Sequence, residues 1–285
     1  MQASDLAVAT AVHKLERAPG WYVADLSDDW SYITPSGGVL MTVAMRAMSA
    51  ELGDPSMHPL SANTHFCSPV PSGPLEIRVE VLRRGHAATQ LRAALSSSRQ
   101  PGPGLEVSAT YVRERQGPEV HGIDMPDVPP PDEAEDIDDR SIASDERPSG
   151  RPFFANYDIK LAHGVHLWRP GWQAGEAHMA YWYRYRVPQR SADGLFDPLA
   201  IPPIADTMPG ALARKLGPQA RFYAPSLDLT VHFLDPSDAE WFLVDVRALQ
   251  ARAGYASASA HIWDDKKRLV ANTTQTMMLR ARPKE

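Results

Sequence analysis

Residues 39–53 read VLMTVAMRAMSAELG, and residues 204–217 read IADTMPGALARKLG. In the first stretch Leu40, Val43, Ala44, Ala47 and Met48 recur at three- and four-residue spacing. That spacing predicts a helix over Val39–Leu52 that stops at Gly53. The second stretch predicts a helix over Ile204–Leu216 that stops at Gly217. Four strand-like runs follow each helix. After the first they are Leu60–Val70, Leu75–Arg83, Ala87–Ser96 and Leu105–Arg113, punctuated by Gly73-Pro74 and Gly85-His86. After the second they are Ser226–Leu234, Trp241–Gln250, Tyr255–Trp263 and Leu269–Leu279. Ahead of the first helix, residues 4–17 predict an amphipathic helix, Trp21–Leu26 and Trp30–Tyr32 short strands, and Pro35-Ser36-Gly37-Gly38 a turn. Ahead of the second stands an aromatic strand candidate, Ala177–Val187.

The two halves superimpose in order. Gly53 and Gly217 lie 164 residues apart, His65-Phe66 and His232-Phe233 lie 167 apart, Gly85 and Gly254 lie 169 apart, and Leu105 and Leu269 lie 164 apart. Drifts of a few residues are what loop-length changes produce, so the pattern reads as one unit present twice. Between the copies, residues 116–150 carry Pro126, Pro129, Pro130 and Pro131 and the acids Asp132, Glu133, Glu135, Asp136, Asp138 and Asp139. Such a composition buries little apolar surface and reads as a linker. The expected division is therefore 1–115, an N-terminal unit; 116–150, the acidic Pro-rich linker; and 151–285, a C-terminal unit. One helix beside a long antiparallel sheet is an α+β hotdog unit. Two in tandem make a double hotdog, in which joining the units covers apolar surface that each leaves exposed.

Composition narrows the function. The 285 residues are 43% hydrophobic with a net charge of −6, so a core is affordable and no basic excess points to nucleic acid. A single cysteine, Cys67, excludes an internal disulfide and a cysteine-built zinc site, and reads as a packed, inert thiol. No apolar run is long enough to span a membrane, and the first twenty residues lack the pattern of an export signal, so a cytoplasmic protein without membrane contact is expected. No G-x-S-x-G, G-x-G-x-x-G or Walker sequence occurs. His163 and His166 stand three apart with no third ligand evident, so no metal and no bound cofactor are expected.

The chain resembles the acyl-CoA thioesterase II-like double-hotdog family. The resemblance rests on Gly37-Gly38 before the first helix, HPLSANTHFCSPVPSGPLEIRVEVLRRG at 58–85, PIADTMPG at 203–210, PSLDLTVHF at 225–233 and LVANTTQTMMLR at 269–280. It implies hydrolysis of fatty acyl-CoA to free acid and CoA. It also implies that Asp206, Ser226 and Gln275 hold and activate the attacking water. Thr230 rivals Ser226 for the hydroxyl, because Ser226, Asp228 and Thr230 share a face of an unbroken strand.

Read from the residues alone, Asp206 can equally cap a helix, Gln275 can be exposed, and Ser226 can be an ordinary strand entry. Backbone N–H groups at Gly37 and Gly38 are candidate oxyanion donors. Arg83, Arg84 and Arg46 are candidate phosphate partners, and Met41, Met45, Trp182 and Phe233 candidate tunnel residues. At an offset of 164, Asp206 falls on Thr42 and Gln275 on Tyr111, which predicts one site per tandem pair. Exposed sheet edges favour a homodimer or higher homo-oligomer. The alternatives are a catalytically weak acyl-CoA-binding hotdog protein and a hotdog enoyl-CoA hydratase. The hydratase wants a His close to Asp206, and none follows before His232.

Overall fold

The computed structural model describes residues 2–16, 18–100, 102–137, 151–167, 169–220 and 222–281. The first unit runs α1 (Leu6–Ala9), β1 (His13–Lys14), β2 (Trp21–Leu26), α2 (Gly37–Leu52), β3 (His58–Phe66), β4 (Gly73–Arg84), β5 (Ala88–Ser97) and β6 (Leu105–Val112). After it come β7 (Glu135–Asp136), α3 (Pro152–Ala155), β8 (Tyr157–His163), β9 (His178–Tyr185), α4 (Ile201–Ala205) and α5 (Pro209–Leu216). The chain ends with β10 (Phe222–Tyr223), β11 (Ser226–Phe233), β12 (Trp241–Arg252), β13 (Tyr255–Asp264), β14 (Leu269–Met278) and β15 (Arg280–Ala281).

Thirteen strands form one antiparallel sheet in the order β1-β2-β4-β5-β6-β3-β11-β14-β13-β12-β9-β8-β7. The order mirrors itself about the β3–β11 pair, so the duplication read from the sequence is also a topological one. β10 and β15 make a separate ribbon. At the joint Thr230 pairs with Asn63, whose Nδ2 donates to the Thr230 hydroxyl at 2.7 Å. The molecule is a double hotdog. Helix α2 is apolar nearly all round, as a helix wrapped by a sheet must be, and ends at Gly53 with φ +62°.

The second helix differs from the expected single one. It breaks at Asp206–Met208, between α4 and α5. Pro209 has no N–H to continue the ladder from Ala205, and its ring crowds that carbonyl. At the amino terminus the helix expected over 4–17 is only the four residues of α1, and Trp30 closes a short turn rather than a strand.

The acidic stretch is more ordered than its composition predicts. Met125 and Val128 pack against Ala134, Trp182, Leu243 and Trp263 on the outer sheet face, and Trp182 donates its indole N–H to the Pro129 carbonyl at 2.9 Å. β7 then pairs with β8, and Ile137 is buried. A few apolar residues spaced among the acids suffice to dock the strap. Residues 138–150 of the expected linker, with Asp138 and Asp139, lie outside the described residues. The sheet ends in β1 and β7, two residues each, and such short edges offer little ladder to a second copy. Cys67 is exposed rather than packed. Among the described residues no helix is long and apolar enough to cross a membrane.

Candidate active site

The break between α4 and α5 leaves Asp206 at the end of α4, 8% exposed. Its carboxylate caps neither helix. Oδ1 accepts from Gln275 Nε2 at 2.6 Å and from the Ser226 hydroxyl at 3.1 Å. Oδ2 accepts from the Gly38 N–H at 3.0 Å and the Ser36 hydroxyl at 3.2 Å. Gln275 Nε2 also lies 2.7 Å from the Ser226 oxygen. Asp206, Ser226 and Gln275, distant in sequence, are thus one cluster, completed by the start of α2 from the other unit.

A β-bulge separates Ser226 from Thr230. Ser226 pairs with Met277 and Asp228 with Thr276, which leaves Leu227 as the extra residue. The slip turns Ser226 to the helix side with Leu229, Val231 and Phe233, while Asp228 and Thr230 take the other face. The Asp228 carboxylate accepts the Thr276 N–H at 3.1 Å. Ser226 therefore holds the position for which Thr230 was the rival, and the unbroken-strand reading is corrected.

Burial is the largest influence on Asp206 and pushes its carboxyl above the ordinary range. Donors from Gly38, Ser226, Ser36 and Gln275 oppose that rise by stabilising the anion. Gln275 is 1% exposed, and its Oε1 has no hydrogen-bond partner among the described residues. Ser36 could have been found as the helix N-cap, yet it makes no side-chain cap bond and instead serves Asp206.

The oxyanion expectation is corrected in part. The Gly38 N–H is committed to Asp206, so it positions the carboxylate. Gly37, half-buried at the first position of α2, keeps an N–H with no bond to the described residues. A Cβ at Gly37 would lie 2.7 Å from the Phe66 ring and 3.2 Å from Asp206 Oδ2, so glycine is what lets that ring and carboxylate approach.

Asp206 and Thr207 open on a cleft of about 660 Å³ lined by Tyr32, Phe154, Leu167, Tyr181, Tyr183 and Phe222, with Arg151 also on its wall. The alternation Met179, Tyr181, Tyr183, Tyr185 along β9 sets these aromatic rings on the inner face, a signal present in the sequence. The expected tunnel residues lie elsewhere. Met41, Met45 and Phe233 are core, and Trp182 lies under the strap on the outer face. Arg83 and Arg84 are not brought to Asp206. Arg84 donates to the Leu52 carbonyl at the far end of α2, about 20 Å from Gly38 at 1.5 Å rise per residue. Arg46 is bound to Asp197 at 2.7 Å and to Thr10.

The equivalent place in the first unit carries no such cluster. Leu60 is the bulged residue of β3, as Leu227 is of β11, so Pro59 stands where Ser226 does. Register matches Gln275 to Ala109, because Leu229 pairs with Gln275 and Ala62 with Ala109. This corrects the match to Tyr111 by two residues. Thr42, the helix counterpart of Asp206, donates to the Leu199 and Gly38 carbonyls at 2.8 and 3.1 Å. Pro202 and Pro203 stand opposite Gly38 and offer no N–H. Tyr111 bonds the Met45 carbonyl at 3.0 Å. Thr42→Ala and Tyr111→Phe are expected to hold kcat within about two-fold, read by steady-state thiol release.

Residues 26–113 match the acyl-CoA thioesterase N-terminal domain, and residues 125–279 match the acyl-CoA thioesterase C-terminal domain. The chain belongs to the acyl-CoA thioesterase family. It is a thioester hydrolase of the double-hotdog kind. Solved structures agree in fold. An acyl-CoA thioesterase II, TesB2, from Mycobacterium marinum is 20% identical with a TM-score of 0.72, covering 98% of this chain and 99% of that one. A putative thioesterase II from Thermobifida fusca YX is 22% identical with a TM-score of 0.76, over 98% and 99%. A hot dog fold protein from Alicyclobacillus acidocaldarius is 20% identical with a TM-score of 0.80, over 98% of both chains. No curated protein matches this sequence.

Proposed function

We propose that this thioesterase hydrolyses fatty acyl-CoA, with Asp206 as general base, Ser226 and Gln275 positioning the water, and the Gly37 N–H as oxyanion donor. The observation that carries the reading is a buried carboxylate, held by four donors, on the wall of an aromatic cleft. Each Asp206 oxygen already accepts two bonds, so the water displaces the Ser226 hydroxyl from Oδ1, the longer of the two contacts to that oxygen. Ser226 then turns to hold the water, and Gln275 Oε1 accepts its second hydrogen. Attack on the thioester carbon passes the water proton to Asp206 and charge to the carbonyl oxygen. Collapse expels the thiolate, which takes the proton up. The groups bonded to the Asp206 carboxylate include no histidine, which disfavours the hydratase reading. Thiol release measured across acyl-CoAs from acetyl to palmitoyl tests the substrate class. Binding of acyl-CoA without turnover of any chain would favour the acyl-binding alternative.

Two further outcomes follow from the geometry. Asp206 works as a base only when ionised, and burial raises its pKa. So kcat/KM falls with falling pH through a point above the ordinary value of about 3.9. A pH–rate profile with its acid limb at or below that value would contradict the assignment. Arg151 lines the cleft and makes no ion pair with the described residues, so it joins Arg83 and Arg84 as a candidate cation for a CoA phosphate. Arg151→Ala is expected to raise KM for acyl-CoA by roughly three- to ten-fold with kcat little changed, and added salt should reproduce part of that rise in wild type.

A further inference from the structure

The outer face of the second-unit sheet carries a polar cluster that the hydrolytic site does not use. Between Leu161 and His163 the β8–β9 register slips, leaving Ala162 as an extra residue and setting His163 opposite Ala180. On its other side Ala180 pairs with Asp245 of β12. The bulge therefore puts His163 in one row with Asp245, and His178, two residues before Ala180 on β9, shares their face. His178 Nε2 and Asp245 Oδ1 are 2.5 Å apart, and both residues are buried. The His163 and His178 rings are 4.2 Å apart. Glu176 adds a carboxylate, and one ligand atom from each of His163, Glu176 and His178 lies within 4.8 Å of the other two.

We propose that His163, Glu176 and His178 bind a divalent cation of the zinc class, with Asp245 orienting His178. The donor set argues for that class. Two imidazoles and one carboxylate suit zinc, whose fourth position water can fill, whereas calcium and magnesium select oxygen. A carboxylate behind a ligating imidazole is the usual second partner of such a site, fixing the ring and raising its basicity. Tetrahedral bonds of about 2.1 Å set ligand atoms about 3.4 Å apart, so binding draws these three together by at most about 1.4 Å. His163 and Glu176 stand at the two ends of the segment that carries Leu167 to the cleft wall. The ion would close that segment at its base and so fix one wall of the acyl cleft.

Chelator-treated protein titrated with zinc chloride by calorimetry, and with cobalt chloride by visible absorption, tests the site without any substrate. One equivalent should bind with a micromolar or lower Kd, and cobalt should give the intense d–d bands of a tetrahedral site. His163→Ala and Glu176→Gln should each weaken binding at least ten-fold, and Asp245→Asn about ten- to hundred-fold. His86→Ala, distant on the first unit, should leave it unchanged. Thermal melts confirm that each variant is folded. No uptake by folded wild type at about 100 μM zinc, or uptake indifferent to both His163→Ala and Glu176→Gln, overturns the proposal. Either result leaves the hydrolytic assignment untouched, because it is read from binding alone.

Discussion

Asp206→Asn is expected to lower kcat for acyl-CoA hydrolysis by on the order of 10²-fold or more, with KM nearly unchanged. The reason is local. The carboxylate is the acid nearest the Ser226 hydroxyl and the Gln275 amide, and an asparagine cannot accept the water proton. The substitution should not unfold the site. The new amide nitrogen, if it faced Gln275, would meet a donor, but the Gln275 amide can turn and present Oε1, which has no partner among the described residues. The effect on stability has the opposite sign. A carboxyl whose folded pKa is raised binds more protons folded than unfolded between its two pKa values. Stability is therefore lost as pH rises through that window, and the full cost is present above the folded pKa. A neutral amide in place of the carboxylate removes that cost. Thiol release and thermal melts at pH 7, run side by side, should show an enzyme that is nearly inactive and at least as stable as wild type. An active Asp206→Asn enzyme would move the base elsewhere.

Gly38→Ala is expected to damage both stability and activity. A Cβ at this position would lie 2.2 Å from the Pro202 carbonyl oxygen and 2.8 Å from the Pro203 Cα. Both are backbone atoms that cannot rotate away. α2 and α4 would have to separate where the two units meet. Overpacking of this kind costs about 1–3 kcal/mol, at the upper end here because the opposing wall is backbone. The same movement pulls the Gly38 N–H and Ser36 from Asp206 Oδ2, so activity falls as well. Denaturant unfolding should show a lower midpoint at unchanged m, with kcat reduced. Full stability in Gly38→Ala would mean that the helix contact is looser than these distances imply.

The central helix, the strands of both units and their duplication were legible in the sequence because each rests on local periodicity. Val39–Leu52 repeats every three to four residues, the strands alternate, and Gly53 supplies the left-handed stop. The strap reads as a linker because its acids outweigh the few apolar residues that dock it. Asp206, Ser226 and Gln275 were reached through the resemblance, since a lone Asp before a proline carries no local mark of a base. Ser36 and Arg151 were missed for the same reason.

What the sequence alone determined is the set of elements and their repeat, which depend on neighbours within a few positions along the chain. Which hydroxyl faces Asp206 was left to the tertiary structure, because one bulged residue, Leu227, reverses the faces of everything before it. The commitment of the Gly38 N–H was likewise decided only when α2 met α4 across the two units. Contacts between residues 168 positions apart depend on how one sheet, shared by both units, closes on their helices, and no local pattern encodes that closure.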